Sequence, residues 1–246
     1  MNIEKYLAIS KQLNTLGDVD RIHLKYKLPK ELLIVILTQN IIRRTKKQYN
    51  IVKEQVSKLL DKWHSGNSFL EISRELKFSP VMTASLILRE MGLTKKQIQD
   101  YLKKPEEIEN HRIKKEITDI LKNEIVYSPH GTKIQVERGK RTEEKIYNWL
   151  RRRNISFITE KEARSKHLKT PDFLLKYSIK IKGKTIHWIE CKASFGDYIE
   201  IRRDYKKQLK HYVDLYSSGM VVYWFGFIDD IKIDDRILLS TKNIFK

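Results

Sequence analysis

The sequence predicts an α+β protein, with an all-helical domain at residues 1–104 and a mixed domain at residues 126–246. In the first part, apolar residues recur at the three- and four-residue spacing of a helix face. In the second, short apolar and alternating segments are interleaved with two helical segments, which predicts the order αβββαβ. Residues 105–125 are charged and contain no Gly or Ser, so we expect a connecting helix there.

The N-terminal domain is predicted to consist of helices at 31–42, 49–63, 69–76 and 81–91. Ser79 before Pro80 is typical of an N-cap with proline at the first helical position. The last two helices have the outline of a helix-turn-helix, in which Thr83, Ser85 and Arg89 would lie on the exposed side of a recognition helix. The alternative is a helical hairpin that packs on its neighbours, because this segment is apolar and Arg89 is its one basic residue.

The C-terminal elements are expected in the order helix 141–153, strand 155–159, hairpin 172–192, basic helix 199–216, buried strand 220–228 and edge strand 236–240. The hairpin would return the end of its second strand to the start of its first, bringing Glu190 and Lys192 close to Asp172. Side chains alternate along a strand, so Glu190 and Lys192 share one face while Cys191 points to the other. Two carboxylates beside a lysine can hold a hard divalent cation and orient an attacking water.

Each of these residues also has an ordinary structural interpretation. Pro-Asp commonly begins a turn or strand, and Glu190 with Lys192 could be an exposed edge pair. The surrounding segment IHWIECKA is, however, apolar enough for a half-buried strand. Burying a charged side chain there is costly unless it is paired or has a function. Glu143 begins the apolar stripe of helix 141–153 and could reach the same site, or it could simply complement the helix dipole.

The composition indicates a polyanionic partner. Lys and Arg number 50 against 31 Asp and Glu, which gives a net charge of +19. Nucleic acid is the commonest partner of such a chain, although the charge could also serve solubility. We expect DNA as the favoured partner and a homodimer as a possible assembly.

Other classes of protein are disfavoured. The longest apolar run, Leu32 to Leu37, is too short to span a bilayer, and the first residues lack the apolar stretch of a signal peptide. A single cysteine excludes an intramolecular disulfide, and zinc-site spacing is missing from the sequence. We therefore expect an intracellular protein, cytoplasmic or nucleoid-associated, without a membrane partner.

The residues Pro171-Asp172 and Glu190-x-Lys192, preceded by a helical glutamate, resemble the PD-(D/E)xK nuclease superfamily, whose core is restriction-endonuclease-like. Thr170-Pro171-Asp172, with the stretches HWIECKASFGD and GMVVYWFGF, is more closely similar to its TPD-motif family, known from archaea and animals. Cys191 stands where that family has serine. Its side chain should face away from the site, so this difference does not affect the expected chemistry.

The resemblance implies that Asp172, Glu190 and the main-chain carbonyl of Cys191 ligate Mg²⁺ or Mn²⁺. Lys192 would orient the attacking water and offset charge in the transition state. Glu143 would act through water or at a second ion. Together these make Glu143, Asp172, Glu190 and Lys192 the expected catalytic set.

Further candidates follow the hairpin. Five basic residues give helix 199–216 a surface suited to phosphate contacts, unless it is only a solvated face: Arg202, Arg203, Lys206, Lys207 and Lys210. Gln208 and Tyr212, four apart, resemble the QxxxY element of related nucleases and are auxiliary candidates. Asp197 is either an outer acid of the site or a loop cap. Trp188 shares the active face, whereas His187 lies on the other and is expected to be a hydrogen-bonded core residue.

We therefore predict a metal-dependent nuclease that hydrolyses phosphodiester bonds in DNA, in repair or recombination. The alternatives are a catalytically silent nucleic-acid-binding scaffold, an RNA-processing nuclease, and a structural partner protein whose charge is incidental.

Overall fold

The computed structural model describes residues 1–164 and 170–245. It confirms the α+β class, with helices dominating the N-terminal part and a mixed sheet in the C-terminal part. The helices are α1 (Ile3–Gln12), α2 (Leu16–Tyr26), α3 (Lys30–Glu54), α4 (Val56–His64), α5 (Phe69–Leu76), α6 (Pro80–Glu90), α7 (Lys95–Lys103), α8 (His111–Asn123), α9 (Pro129–Arg152), α10 (Glu160–Arg164), α11 (Tyr198–Asp204) and α12 (Lys210–Tyr216). The strands are β1 (Phe157–Thr159), β2 (Phe173–Ile181), β3 (Lys184–Lys192), β4 (Gly219–Tyr223) and β5 (Ile237–Ser240).

The chain forms two compact units, and their boundaries are not those expected for domains. The sheet unit consists of Met1–Leu37 and Glu137–Lys246, and the helical unit consists of Thr38–Val136. Long helices α3 and α9 carry the chain across the two boundaries. The expected division into a domain at 1–104, a connecting helix at 105–125 and a domain at 126–246 stays a prediction.

The first two helices belong to the sheet unit, and α1 contacts residues of that unit that are distant in sequence. The Tyr6 hydroxyl donates to Asp197 at 2.5 Å, and the Tyr6 ring stacks on Phe195 with centroids 5.4 Å apart. Helix α2 begins with a capping box, in which Asp18 accepts from the amide of Thr15 at 2.9 Å. These residues lie within the stretch predicted as helical, but the prediction assigns no individual helix to them, and the local pattern carries no sign of the distant partners.

In the helical unit, the carboxylate of Glu116 connects helices α4, α5 and α8. It accepts hydrogen bonds from the Trp63 indole at 3.1 Å, the Phe69 amide at 2.9 Å and Arg112 at 2.8 Å. Helix α8 occupies the segment expected to connect the domains, and its apolar side chains Ile117 and Ile120 are fully buried in the core of this unit.

Helix α6 packs inside the helical unit, as the hairpin interpretation proposed. Ser79 is its N-cap, accepting from the Met82 amide, and Pro80 occupies its first turn. The expectation that Thr83 lies on an exposed recognition face is wrong: its side chain is fully buried and its hydroxyl donates to the Ser79 carbonyl at 2.9 Å. Apolar residues surround α6 on most sides and leave Arg89 exposed near its end.

The sheet has the order β1-β2-β3-β4-β5. Strands β1, β2 and β3 pair antiparallel, whereas β4 pairs parallel to both β3 and β5. The β2–β3 hairpin turns at Lys182 and Gly183, both with positive φ, as in the tight turns that suit strand twist. Strand β3 is thus central, and its end is positioned by neighbours on both sides. The element order agrees with the predicted αβββαβ except that the short helix α10 lies between β1 and β2, and β5 forms the predicted edge strand.

Candidate active site

The candidate site lies at the end of the central strand β3. Trp188, Glu190 and Lys192 share one face of the strand, as the alternation predicts, and Glu190 is only 4% exposed. Cys191 is buried on the opposite face, where the Thr142 hydroxyl of α9 lies beside its thiol. Burial raises the pKa of this thiol to about 12, so Cys191 is neutral at physiological pH.

Asp172 immediately precedes β2 and is hydrogen-bonded twice to β3. Its carboxylate accepts from the Cys191 amide at 2.7 Å, and its own amide donates to the Glu190 carboxylate at 3.2 Å. The pairing of Phe173 with Ile189 sets this register, because it places residue 172 across from the end of β3. The hairpin therefore returns Asp172 to Glu190 as the sequence indicated.

Lys192 connects the acidic pair to the helix that follows. Its ammonium group donates to Glu190 at 2.6 Å and to the Gln208 side-chain carbonyl at 2.7 Å. Gln208 lies in a π-helical turn, Tyr205–Leu209, between α11 and α12. Sequence periodicity predicts one continuous helix here and does not predict this turn; such turns are frequent at functional sites.

The two carboxylates are costly to ionise where they lie. Burial and then repulsion from Glu190 raise the pKa of Asp172 well above its usual value, and burial raises the pKa of Glu190 although Lys192 opposes the change. Burial acts against the charge of Lys192, but attraction to Glu190 and Asp204 outweighs it and raises its pKa. An additional cation beside the pair would favour the ionised carboxylates.

Two more glutamates influence the site from its rim. Glu143 of α9 is largely exposed, but partial burial of its carboxylate and repulsion from Glu160 raise its pKa, and its charge acts on Asp172. Glu160, at the start of α10, was missed by the sequence analysis; its amide donates to the Asp172 carbonyl at 3.2 Å. The sequence signal that could have identified Glu160 is its position directly after the predicted strand 155–159, which pairs with the strand that follows Asp172.

The donor set fits a magnesium-type ion better than a closed metal cage. Among the described residues, no three His, Cys, Asp or Glu side chains converge as a complete metal site. Mg²⁺ typically takes one or two carboxylates and fills its other positions with water and substrate phosphate. Asp172 and Glu190 supply that number. The amide and the carbonyl of a strand residue point to the same side of the strand. The Cys191 amide donates to Asp172, so the Cys191 carbonyl also lies on the side of β3 that faces Asp172.

Aromatic side chains support the face that carries Glu190. The indole N–H of Trp188 donates to the Ser217 carbonyl at 3.0 Å, and its ring meets Tyr212 edge to face with centroids 5.6 Å apart. Gly219 of β4 lies directly against that indole, and a Cβ there would be 2.0 Å from its Cε2 atom. Gln208 and Tyr212, the auxiliary candidates, thus contact Lys192 and Trp188 respectively.

The remaining candidates are held by other partners or lie at the surface. Asp197 is the N-cap of α11, accepting from the amides of Ile199 and Glu200 at 3.0 Å. His187 is hydrogen-bonded through Nδ1 to the Ser218 carbonyl at 3.2 Å, as expected for the opposite face. Arg203 is held by the buried carboxylates of Glu200 and Asp204. The other basic candidates of this segment are exposed: Arg202, Lys206, Lys207 and Lys210.

Fold and site define an α+β protein with a buried carboxylate–lysine cluster at a central strand. Residues 109–243 match the family described as "Protein of unknown function TPD sequence-motif", which takes its name from the tripeptide ending at Asp172. The chain belongs to this family, as its resemblance predicted.

The chain is also similar to curated animal proteins. It is 33% identical over 170 residues to the zebrafish (Danio rerio) protein named CDAN1-interacting nuclease 1, an alignment covering 66% of this chain and 57% of that protein. The human protein of that name is 31% identical over 170 residues, covering 66% of this chain and 60% of its own length. The chain thus spans less than two thirds of these relatives. No solved structure matches it significantly.

Proposed function

We propose that the protein is a metal-dependent nuclease of the PD-(D/E)xK type that hydrolyses phosphodiester bonds in DNA, in repair or recombination. The observation that carries the proposal is the hydrogen-bonded cluster of Asp172, Glu190 and Lys192 at the end of β3. The animal proteins to which the chain is similar are named nucleases, which supports the reaction class.

Each residue of the cluster has a separate task in this proposal. Asp172 and Glu190, with the Cys191 carbonyl, would hold Mg²⁺ or Mn²⁺, and Glu143 would contribute through water. The bound ion would supply Lewis-acid polarisation of the scissile phosphate and lower the pKa of its water. Lys192 is held by Glu190 and Gln208 in a fixed position, from which its ammonium group can orient water and offset negative charge on the phosphate.

The choice of nucleic acid rests on charge and its placement. The chain has a net charge of +19, and the exposed cations of α11, α12 and the turn between them follow directly on the strand that carries the cluster. Arg202, Lys206, Lys207 and Lys210 would contact phosphates without reading sequence. Arg203 is a weaker candidate because two carboxylates already hold its guanidinium group.

A cleavage panel tests the proposal. Plain duplex, single-stranded, flapped and branched DNA, together with RNA, would be incubated with wild type in Mg²⁺, Mn²⁺ or EDTA. We expect metal-dependent cleavage of at least one DNA, reduced by about 100-fold or more in Asp172→Asn. The matched control is Asp230→Asn, which removes an exposed carboxylate and should leave the rate unchanged.

The other outcomes separate the alternatives. Salt-sensitive binding without cleavage, identical in wild type and Asp172→Asn, would identify a binding scaffold. Cleavage confined to RNA would overturn the choice of DNA but keep the reaction class. Cleavage that survives in Asp172→Asn would show that the activity comes from elsewhere.

A further inference from the structure

A concave site lies on the sheet unit, outside the acidic cluster. It is a cavity of about 530 Å³, within the ~300–1,000 Å³ range of small-molecule sites. Residues of α9, the segment after β4 and the C-terminal 3₁₀ turn form its walls: Lys145, Asn148, Trp149, Arg152, Arg153, Trp224, Lys242, Asn243 and Phe245.

The lining combines aromatic rings with positive charge. Trp149 and Phe245 meet edge to face at 5.2 Å, and Trp224 lies nearly parallel to Phe245 at 6.2 Å. Arg153 lies over Trp149 at 4.4 Å, and Lys145 lies over Trp224 at 5.6 Å. Within the described part of the chain, nothing acidic lines the cavity. Aromatic faces with unneutralised cations are the combination that binds bases and phosphates of an unpaired strand.

The Trp149 indole, which lines the cavity, carries a hydrogen-bond donor that no described residue uses. Its Nε1 is buried and has no hydrogen-bond partner in the described structure. A buried donor without a partner is unfavourable, so such groups generally find an acceptor in water or a ligand. The ring nitrogens and carbonyl oxygens of a nucleobase are acceptors of this kind.

The cavity is linked to the candidate active site through backbone. The Trp224 amide donates to the Lys192 carbonyl at 2.9 Å, so the wall of the cavity begins at the end of the strand that carries Lys192. Helix α9 supplies Glu143 to the active site and, from Lys145 onward, one wall of the cavity. The cavity and the acidic cluster therefore share the end of β3 and helix α9 as their scaffold.

We propose that this cavity binds one unpaired nucleotide of a DNA strand, with its base among Trp149, Trp224 and Phe245 and its phosphate on the surrounding cations. The site would favour substrates that carry a single-stranded segment, such as a flap or a frayed end, over fully paired duplex. Only the choice of DNA over RNA rests on the proposed function; the cavity itself implies binding whether or not the protein cleaves.

Binding in EDTA tests the inference without cleavage. Fluorescence anisotropy would measure the affinity of the full chain for a labelled 12-nucleotide DNA strand, the blunt duplex of the same sequence, and the corresponding RNA strand. Wild type should prefer single-stranded DNA. The double variant Lys145→Gln with Arg152→Gln should weaken single-strand binding by about 10-fold. The number of counterions released on binding, measured from the salt dependence of the affinity, should fall by roughly two. The charge-matched control is Lys180→Gln with Lys232→Gln, at exposed positions outside the cavity.

Trp149→Phe tests the indole itself. It keeps an aromatic ring against Phe245 but removes the N–H, and should weaken single-strand binding about 5-fold while leaving the thermal midpoint near that of wild type. Cavity variants that bind the single strand as tightly as their controls, or a wild type that prefers duplex, would refute the inference. Tighter binding of RNA would refute the choice of DNA. A further outcome is that the wild type cleaves no substrate of the panel while these variants still bind the single strand more weakly than the wild type does. In that case the cavity assignment stands and only the nuclease proposal fails.

Discussion

Gln208 accepts a 2.7 Å hydrogen bond from Lys192, sixteen positions earlier in the chain, and thereby joins the helix segment after β3 to the charged cluster on the strand. The same ammonium group donates to Glu190, so its direction is fixed from two sides. A lysine restrained in this way is suited to orienting a reactant, because little of its side-chain freedom is left to lose.

Removing this restraint should reduce the rate and spare the fold. We predict that Gln208→Ala lowers kcat by about 10- to 100-fold with KM nearly unchanged, since Lys192 is then held by Glu190 alone. Steady-state kinetics on the best substrate of the panel would measure it. Gln208→Glu keeps an acceptor for Lys192 and should recover part of the rate; equal losses in both variants would argue against positioning.

Neutralising Asp172 should stabilise the metal-free protein at neutral pH. Its pKa in the folded state lies above the unfolded value of roughly 3.9, because of burial and then Glu190. Folding therefore favours the protonated form, and the stability contribution of this group is present below the unfolded pKa and lost as pH rises through the folded pKa. Urea unfolding in EDTA should show Asp172→Asn more stable than wild type at pH 8.

The difference between the two proteins should shrink at pH 4.5, where more of the wild-type carboxyl is protonated. Adding Mg²⁺ at pH 8 should raise the midpoint of wild type and leave that of Asp172→Asn nearly unchanged. A variant less stable than wild type in EDTA at pH 8 would contradict the argument.

Thr170 carries a buried hydroxyl group. Its side chain is 4% exposed, and its Oγ1 has no hydrogen-bond partner in the described structure. Because an unsatisfied buried polar group costs about 1–3 kcal/mol, Thr170→Val should preserve or raise the free energy of unfolding. Chemical denaturation checks the stability, and a parallel cleavage assay shows whether the hydroxyl serves activity. Destabilisation by about 1 kcal/mol or more would mean that the hydroxyl has a structural partner.

Gly219 should tolerate no side chain. A Cβ would lie 2.0 Å from the Trp188 indole, which is fully buried and hydrogen-bonded to Ser217. We expect Gly219→Ala to lower the free energy of unfolding by about 3 kcal/mol and to disturb the face that carries Glu190. Gly139→Ala in α9 is the matched control: nothing lies within 4 Å of its Cβ, and it should stabilise the helix by about 0.5–1 kcal/mol. Equal effects at both glycines would refute the steric account.

Local patterns predicted the elements that position the acidic cluster. Strand alternation placed Glu190 and Lys192 on one face and Cys191 on the other, and the hairpin spacing returned Asp172 to them. These relationships depend on residues close in sequence, where period and turn chemistry decide. The catalytic roles and the metal ion stay predictions.

What could not be predicted depends on distant contacts. The π-helical turn aims Gln208 at Lys192, and a regular helical period does not reveal such a turn. Thr83 was expected on an exposed face, but packing with other helices decides burial, and α6 is apolar on most sides. Glu160 escaped notice because only the pairing of β1 with β2 brings it beside Asp172.

The contact between Tyr6 and Asp197 has a consequence for where this chain can be shortened. The stretch that family members share, residues 109–243, leaves out Tyr6 and the ring it places on Phe195. A shortened chain beginning at residue 109 would leave the carboxylate that caps α11 without its buried phenol, eleven residues before Gln208. The segment that matches the family is therefore smaller than the unit that folds around the site, and the first helix is part of the scaffold that holds it.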